Sequence, residues 1–195
     1  MNEFEMSDMG LLHYFIGLEV HQDEDGIFLS QSKYAMDFLI KFGLLNCKPA
    51  ATPMNVGEKL QLNNRAQIDY ARSFRSLVGV LIYLTHTCFD IAFSISVISR
   101  FMQQPSKVHF GAAKKVLCYI AGTKDYEIWY SHVSNFRLCG FIDSDYVGSL
   151  NDIRSISTYF FTLGSGVVTW TSKKQATTTL STSEIKYISA TSAVC

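Results

Sequence analysis

An excess of positive charge is missing from this chain. Lys plus Arg and Asp plus Glu each number 17 among 195 residues, so the broad attraction that a basic domain exerts on nucleic acid is absent. Any contact with phosphate must come from local clusters. A cysteine framework is missing too. Cys47, Cys88, Cys118, Cys139 and Cys195 are scattered, odd in number and nowhere spaced Cys-x-x-Cys. That excludes a secreted disulfide scaffold and a zinc site, and fits reduced, mostly buried thiols in an intracellular chain. Met1 to Gly10 carries three acidic side chains and no basic one, unlike a secretory or transit signal. There is no internal repeat, no low-complexity tract and no adjacent Asp-Asp pair.

The longest apolar stretch, Leu77 to Phe101, is interrupted near its middle by His86 and Asp90. A charge at a bilayer centre costs roughly 3 kcal/mol, so two amphipathic helices broken near Cys88–Phe89 are expected instead of a membrane span. What the chain has in quantity is core-forming material. Hydrophobic residues make up 48% and aromatics 13%, enough to bury a sizeable interior in one large or two small domains.

Periodicity gives an order of elements. Tyr14, Ile16, Leu18 and Val20 alternate with Phe15, Gly17, Glu19 and His21, predicting one strand. Asp23-Glu24-Asp25-Gly26 offers a turn, with Gly26 available for positive φ, before Ile27-Phe28-Leu29. Ser30 is placed to cap a helix carrying Tyr34, Phe38, Leu39 and Phe42 and ending at Gly43. Residues 46 to 70, with Pro49, Pro53 and the polar run Asn63-Asn64-Arg65, form a connector. Leu77, Leu81 and Leu84 mark a helix, Asp90 is placed to cap the next, and a third follows Pro105-Ser106 to Gly122. Beyond Trp129, strands are expected at Leu138–Ile142, Thr158–Leu163 and Val167–Thr171, with a turn at Gly164-Ser165-Gly166. A helix capped within Ser181-Thr182-Ser183 closes the pattern.

Collinear phrases then carry a resemblance. Met6-Ser7-Asp8-Met9-Gly10-Leu11-Leu12-His13-Tyr14-Phe15-Ile16-Gly17-Leu18-Glu19-Val20, Gly26-Ile27-Phe28-Leu29-Ser30-Gln31 and Thr52-Pro53-Met54 are similar to the segment after the polymerase active site of copia-type retrotransposon reverse transcriptases. Phe74-Arg75-Ser76-Leu77-Val78-Gly79, Ile82-Tyr83-Leu84, Asp90-Ile91-Ala92, Ser99-Arg100-Phe101-Met102 and His109-Phe110-Gly111-Ala112-Ala113-Lys114 resemble the thumb of that family. Asp143-Ser144-Asp145-Tyr146, Lys173-Lys174-Gln175 and Ser181-Thr182-Ser183-Glu184 resemble the opening of its ribonuclease H domain. The resemblance implies an α+β fold with a palm-end hairpin and helix in 1–55, a helical thumb and connection in 56–130, and a truncated ribonuclease H-like meander and helix in 136–195.

The same resemblance frames the chemistry. The family's paired-aspartate polymerase motif lies upstream of Met1, so nucleotidyl transfer is not expected from these residues. Its ribonuclease H activity uses convergent carboxylates on two divalent metals, with Mg²⁺ implied for the parent enzyme and no cofactor expected here. Asp143 matches the first ligand. The helix pattern Glu-x-Glu-Tyr is Glu184-Ile185-Lys186-Tyr187 here, so Lys186 takes a ligand position and Glu184 sits two residues away, about 200° around a helix. No intact catalytic set is expected. Two further phrases depart from the family: Thr87-Cys88-Phe89-Asp90 where Thr-Arg-Pro-Asp is usual, and Ser157-Thr158-Tyr159 where Ser-Gly-Tyr is usual.

Binding readings stay open against blander ones. Gly17 resembles a primer-grip glycine that lets nucleic acid approach, or it relieves crowding in an ordinary hairpin. Lys114-Lys115 and Lys173-Lys174 are phosphate-contact candidates or solvated faces. Asp143 and Asp145 are ancestral ligands or turn formers. The five histidines show no ligand spacing and read as structural or surface groups. The leading expectation is a non-catalytic piece of a retrotransposon polymerase that binds primer–template or RNA–DNA weakly. The alternatives are a truncated record of an active polymerase/ribonuclease H and a domesticated interaction module. An uncovered sheet edge would favour self-association; no membrane partner is expected.

Overall fold

The computed structural model describes residues 10–62, 71–132, 136–146 and 153–194. Met6 to Met9, the run Asn63-Asn64-Arg65 and Cys195 lie outside them. The architecture is α+β, with two antiparallel sheets flanking a helical core.

The first sheet departs from the single strand suggested by alternation. Strand β1 (Tyr14–Phe15) turns directly into β2 (Leu18–Gln22), and Phe15 pairs with Leu18. The reversal is made by Ile16 and Gly17, at φ 46° and 80°. Positive φ at both central residues defines the mirror-image turn whose twist suits a hairpin. Strand β3 (Gly26–Ser30) pairs with β2, and the Asp23 carboxylate accepts the N–H groups of Asp25 (2.9 Å) and Gly26 (3.0 Å).

Gly26 does not use positive φ; it starts β3. Its lack of a side chain admits strand β4 (Ile128–Ser131), which pairs with β3. A Cβ at Gly26 would stand 2.6 Å from the Trp129 ring and closer still to the Tyr130 carbonyl. The periodicity did not announce β4.

Helix α1 (Ser32–Lys41) begins at Gln31 with no side-chain cap. Ser30, expected as that cap, remains in β3 and donates to Glu19 (3.3 Å), while Ser32 donates to the Lys124 carbonyl (2.7 Å). The serines therefore tie the helix start to its neighbours. Gly43, at φ 67°, ends α1 with the Gly43 N–H on Ile40 and the Leu44 N–H on Leu39, the paired bonds that satisfy terminal carbonyls.

Helix α2 (Ala71–Leu84) buries Phe74, Leu77, Val78, Leu81 and Leu84 completely; each such side chain is worth about 1.5–3 kcal/mol on leaving water. A short 3-10 turn, Phe89–Ile91, separates it from α3 (Ala92–Ser99). Asp90 lies within that turn instead of capping α3, and its carboxylate accepts the Tyr119 hydroxyl. Helix α4 (Lys107–Thr123) begins with a reciprocal cap: Ser106 Oγ accepts from the His109 N–H (3.4 Å), and His109 Nδ1 accepts from the Ser106 N–H (3.0 Å). It runs past Gly122, where a Cβ would come within 2.9 Å of Pro49. The core draws on α1 to α4 together, with Ala35 and Leu39 of α1 sharing it with Leu117 and Ile120 of α4. Among the described residues no helix is long and apolar enough to cross a membrane.

The second sheet is β5 (Leu138–Asp145), β6 (Ile156–Leu163) and β7 (Gly166–Lys174), in that order, with α5 (Thr182–Val194) packed against β5 and β6. Ser181 Oγ accepts the Glu184 N–H (3.2 Å), as the serine cluster suggested. The sheet is pinned to the helices by Trp170, whose indole N–H donates to the Thr85 carbonyl (2.8 Å), and by Phe89 against Phe160 and Trp170. Tyr130 joins the two sheets, donating to the Val167 carbonyl (2.5 Å).

Candidate functional site

Strand β5 carries two carboxylates, Asp143 and Asp145. The strand extends through Asp143 and Asp145, so both are strand residues and neither forms a turn. The register sets Asp143 opposite Thr158 and Ser144 opposite Ser157. Directly opposed residues share a face, and successive residues alternate. Ser157 faces α5: its hydroxyl lies 2.8 Å from Ser189 Oγ and accepts from Gln175 Nε2 (2.8 Å). Thr158 faces the other way, donating to Ser172 (3.1 Å) on the side where Phe160 and Trp170 meet Phe89.

Asp143 and Asp145 therefore lie on the face turned toward α2 and α3, and Asp145 lines a groove with Phe93, Val97 and Arg100. Glu184 and Lys186 are carried by α5 on the opposite side. The sheet separates them. The Glu184 carboxylate accepts the Leu180 N–H (2.8 Å), which spends one of its oxygens on the helix start, and Lys186 is exposed. Among the described residues no three His, Cys, Asp or Glu side chains are placed to hold a metal ion. This donor arrangement does not fit a two-magnesium centre.

Gly17 is half-buried, and what approaches it is part of the chain itself. A Cβ there would lie 3.2 Å from the Tyr83 hydroxyl, which donates to the Ile16 carbonyl. Tyr83 of α2 thus clamps the hairpin to the helical core, and close packing within the chain accounts for the glycine. Nothing local to Tyr83 marks it as the clamp; the Ile-Gly step inside an alternating run is the available signal for a turn.

The lysine pairs sit on different units. The Lys114 ammonium lies 5.0 Å over the Phe110 ring, and Lys115 donates to the Asn55 side chain. On β7, Lys173 opposes Ser157 and shares the α5 face, whereas Lys174 opposes Ile156 on the other. The structure makes no single basic patch of these four. His109 is a structural histidine, as expected, while nothing in the sequence marks Tyr119. His109 is buried, stacked on Phe101 at 3.9 Å and bonded through Nε2 to the Gln61 carbonyl at 3.0 Å. Tyr119, hydrogen-bonded to Asp90 and partly buried, has its hydroxyl pushed up to about 12.

A hairpin locked onto a helical core, followed by a second antiparallel sheet, makes this an α+β protein. The comparisons say which kind. Residues 1–56 match the family model described as reverse transcriptase (RNA-dependent DNA polymerase). An uncharacterized mitochondrial protein of Arabidopsis thaliana, AtMg00810, is 35% identical over 187 residues, covering 94% of this chain and 76% of that protein. The retrovirus-related Pol polyprotein from transposon RE2 of the same plant is 34% identical over 184 residues, and that from transposon TNT 1-94 of Nicotiana tabacum 33% over 201. The chain belongs to the copia-type retrotransposon reverse transcriptase family. It spans 13% and 15% of those two polyproteins. No solved structure matches.

Proposed function

We propose that this chain is a non-catalytic piece of a copia-type Pol protein, the end of its palm with the thumb and connection, that engages primer–template or RNA–DNA weakly, with its C-terminal meander derived from a ribonuclease H-like domain. The observation that carries the non-catalytic reading is the separation of Asp143 from Glu184 and Lys186 by the β5–β7 sheet. Metal-assisted phosphodiester hydrolysis needs its carboxylates on one side of the substrate strand, within reach of two ions 3.5–4 Å apart. Polymerisation and Mg²⁺-dependent RNA hydrolysis belong, in this reading, to the longer polyproteins. Family membership and the exposed Lys173 support nucleic-acid contact, and the unpaired cysteines support an intracellular setting.

The test is direct. Purified chain incubated with an RNA–DNA hybrid and Mg²⁺ or Mn²⁺ is expected to leave the RNA intact. Cleavage that Asp143→Asn abolishes would refute the proposal.

A second reading, as an interaction module, is favoured by β5. It is one of the two outer strands of its sheet, with Leu138, Phe141 and Ile142 at 63%, 50% and 46% exposure. An open strand edge is a template for another strand. Two copies paired antiparallel about Phe141 would set Arg137 of one against Asp145 of the other.

A further inference from the structure

Cys47 and Cys118 are far apart in sequence and meet in the fold. Cys47 lies in the loop after α1, where its N–H donates to the Leu44 carbonyl (3.1 Å). That loop then runs along α4. The Ala50 N–H donates to the carbonyl of Cys118 (3.2 Å), and Gly122, one turn further on, leaves the room that Pro49 occupies. Loop and helix are thus fastened beside the thiols, which are both half-buried and close enough for Cys47 to act on Cys118. The Cys88 sulfur lies 3.8 Å from the hydroxyl of its neighbour Thr87. Among the described residues no third metal-ligating side chain joins the pair.

We propose that Cys47 and Cys118 form a peroxide-sensitive dithiol that closes to an intramolecular disulfide, stapling the loop after α1 to α4. Burial and the contact with Cys47 push the Cys118 thiol up to about 11, with nearby Lys114 acting in the opposite direction. Cys118 accordingly keeps its proton near neutrality, and Cys47 is the sulfur that meets the oxidant. Hydrogen peroxide transfers one oxygen to the Cys47 sulfur, giving a sulfenic acid and one water. The Cys118 sulfur then attacks the Cys47 sulfur. The S–S bond forms, the S–O bond breaks, and the hydroxide leaves as a second water with the Cys118 proton. Two thiols have lost two electrons and two protons, and the peroxide has been reduced to two waters.

The experiment uses the full chain. Tryptic cleavage places Cys47 in peptide 42–59 and Cys118 in peptide 116–124, each with a single cysteine. After stoichiometric hydrogen peroxide, the intact mass is expected to fall by about 2 Da, with recovery in dithiothreitol. The unreduced digest is expected to contain 42–59 joined to 116–124. Cys47→Ser and Cys118→Ser should each abolish the link, and Cys88→Ser should leave it. The wild-type digest decides the matter without any variant having to fold. Peptides 42–59 and 116–124 remaining unlinked, a link to Cys88 or Cys139 instead, or cross-links only between molecules would each overturn the proposal.

Discussion

Replacing His109 tests how the helical core is organised. Its ring does three things: Nδ1 accepts the Ser106 N–H, Nε2 donates to the Gln61 carbonyl, and the face stacks on Phe101. The Ser106 bond requires an unprotonated Nδ1, so the network assigns the proton to Nε2. His109→Ala would orphan the Ser106 N–H at the start of α4, at about 1 kcal/mol. It would leave the Gln61 carbonyl without its donor, at about 1 kcal/mol, and would forfeit ring burial worth about 1–2 kcal/mol. The sum, about 3–4 kcal/mol, is a large part of the 5–15 kcal/mol typical of a domain. At roughly 3 °C per kcal/mol it lowers the melting temperature by about 10 °C. His109→Gln keeps an acceptor for the Ser106 N–H and should lose about half as much.

Protonation gives the same contact a pH signature. Burial holds His109 below the ordinary histidine value of 6.5, with the Gln61 bond pulling the other way. In the unfolded chain the ring takes up a proton more readily than in the native one. The stability tied to neutral His109 is therefore fully present above about pH 6.5 and is lost as pH falls through the lowered native value. Thermal and urea unfolding followed by circular dichroism at pH 7.5 and pH 5 are expected to show this loss in the wild type and a weaker one in His109→Gln. An alanine variant within 1 kcal/mol of wild type, or an unchanged pH slope in the glutamine variant, would refute the reasoning.

Two other outcomes follow from backbone geometry. Gly26→Ala must push β3 from β4, because the new Cβ would collide with the Tyr130 carbonyl and the Trp129 ring; a loss of about 2–3 kcal/mol is expected, and an unchanged urea midpoint would show that β3 and β4 do not pack this closely. If β5 pairs with itself about Phe141, Arg137→Asp should weaken dimers in analytical ultracentrifugation, and the Arg137→Asp/Asp145→Arg exchange should restore them. A double variant no better than the single one would dismiss that register.

Much of the fold was legible where a local rule governs it. Ser106 announced α4, Gly43 ended α1, and Gly164-Ser165-Gly166 marked the β6–β7 hairpin. The misreadings share a cause, which is a distant partner. Alternation ran unbroken through Ile16-Gly17 because nothing local shows Tyr83, 67 residues away, receiving the turn. Strand β4 has only four residues and exists because β3, about a hundred residues earlier, offers an edge where Gly26 removes the obstacle. Ser30 had the chemistry of a cap, yet the sheet held it in β3.

The candidate site was half legible for a related reason. Period two puts Asp143 and Asp145 on one face and Ser144 on the other, and helical spacing separates Glu184 from Lys186. Neither rule says which face of the sheet α5 covers. That choice is made by the interior contacts: Ile185 and Ser189 settle beside Ser157 and Gln175, while Phe160 and Trp170 are taken up by Phe89 and Thr85. Each face thereby has an owner, helices α2 and α3 on one side and α5 on the other. Restoring a carboxylate at Lys186 alone would not rebuild a metal centre, because the new group would still stand across the sheet from Asp143. On the proposed non-catalytic reading, Lys186 at the ligand position and the separated faces are independent obstacles to metal-assisted hydrolysis.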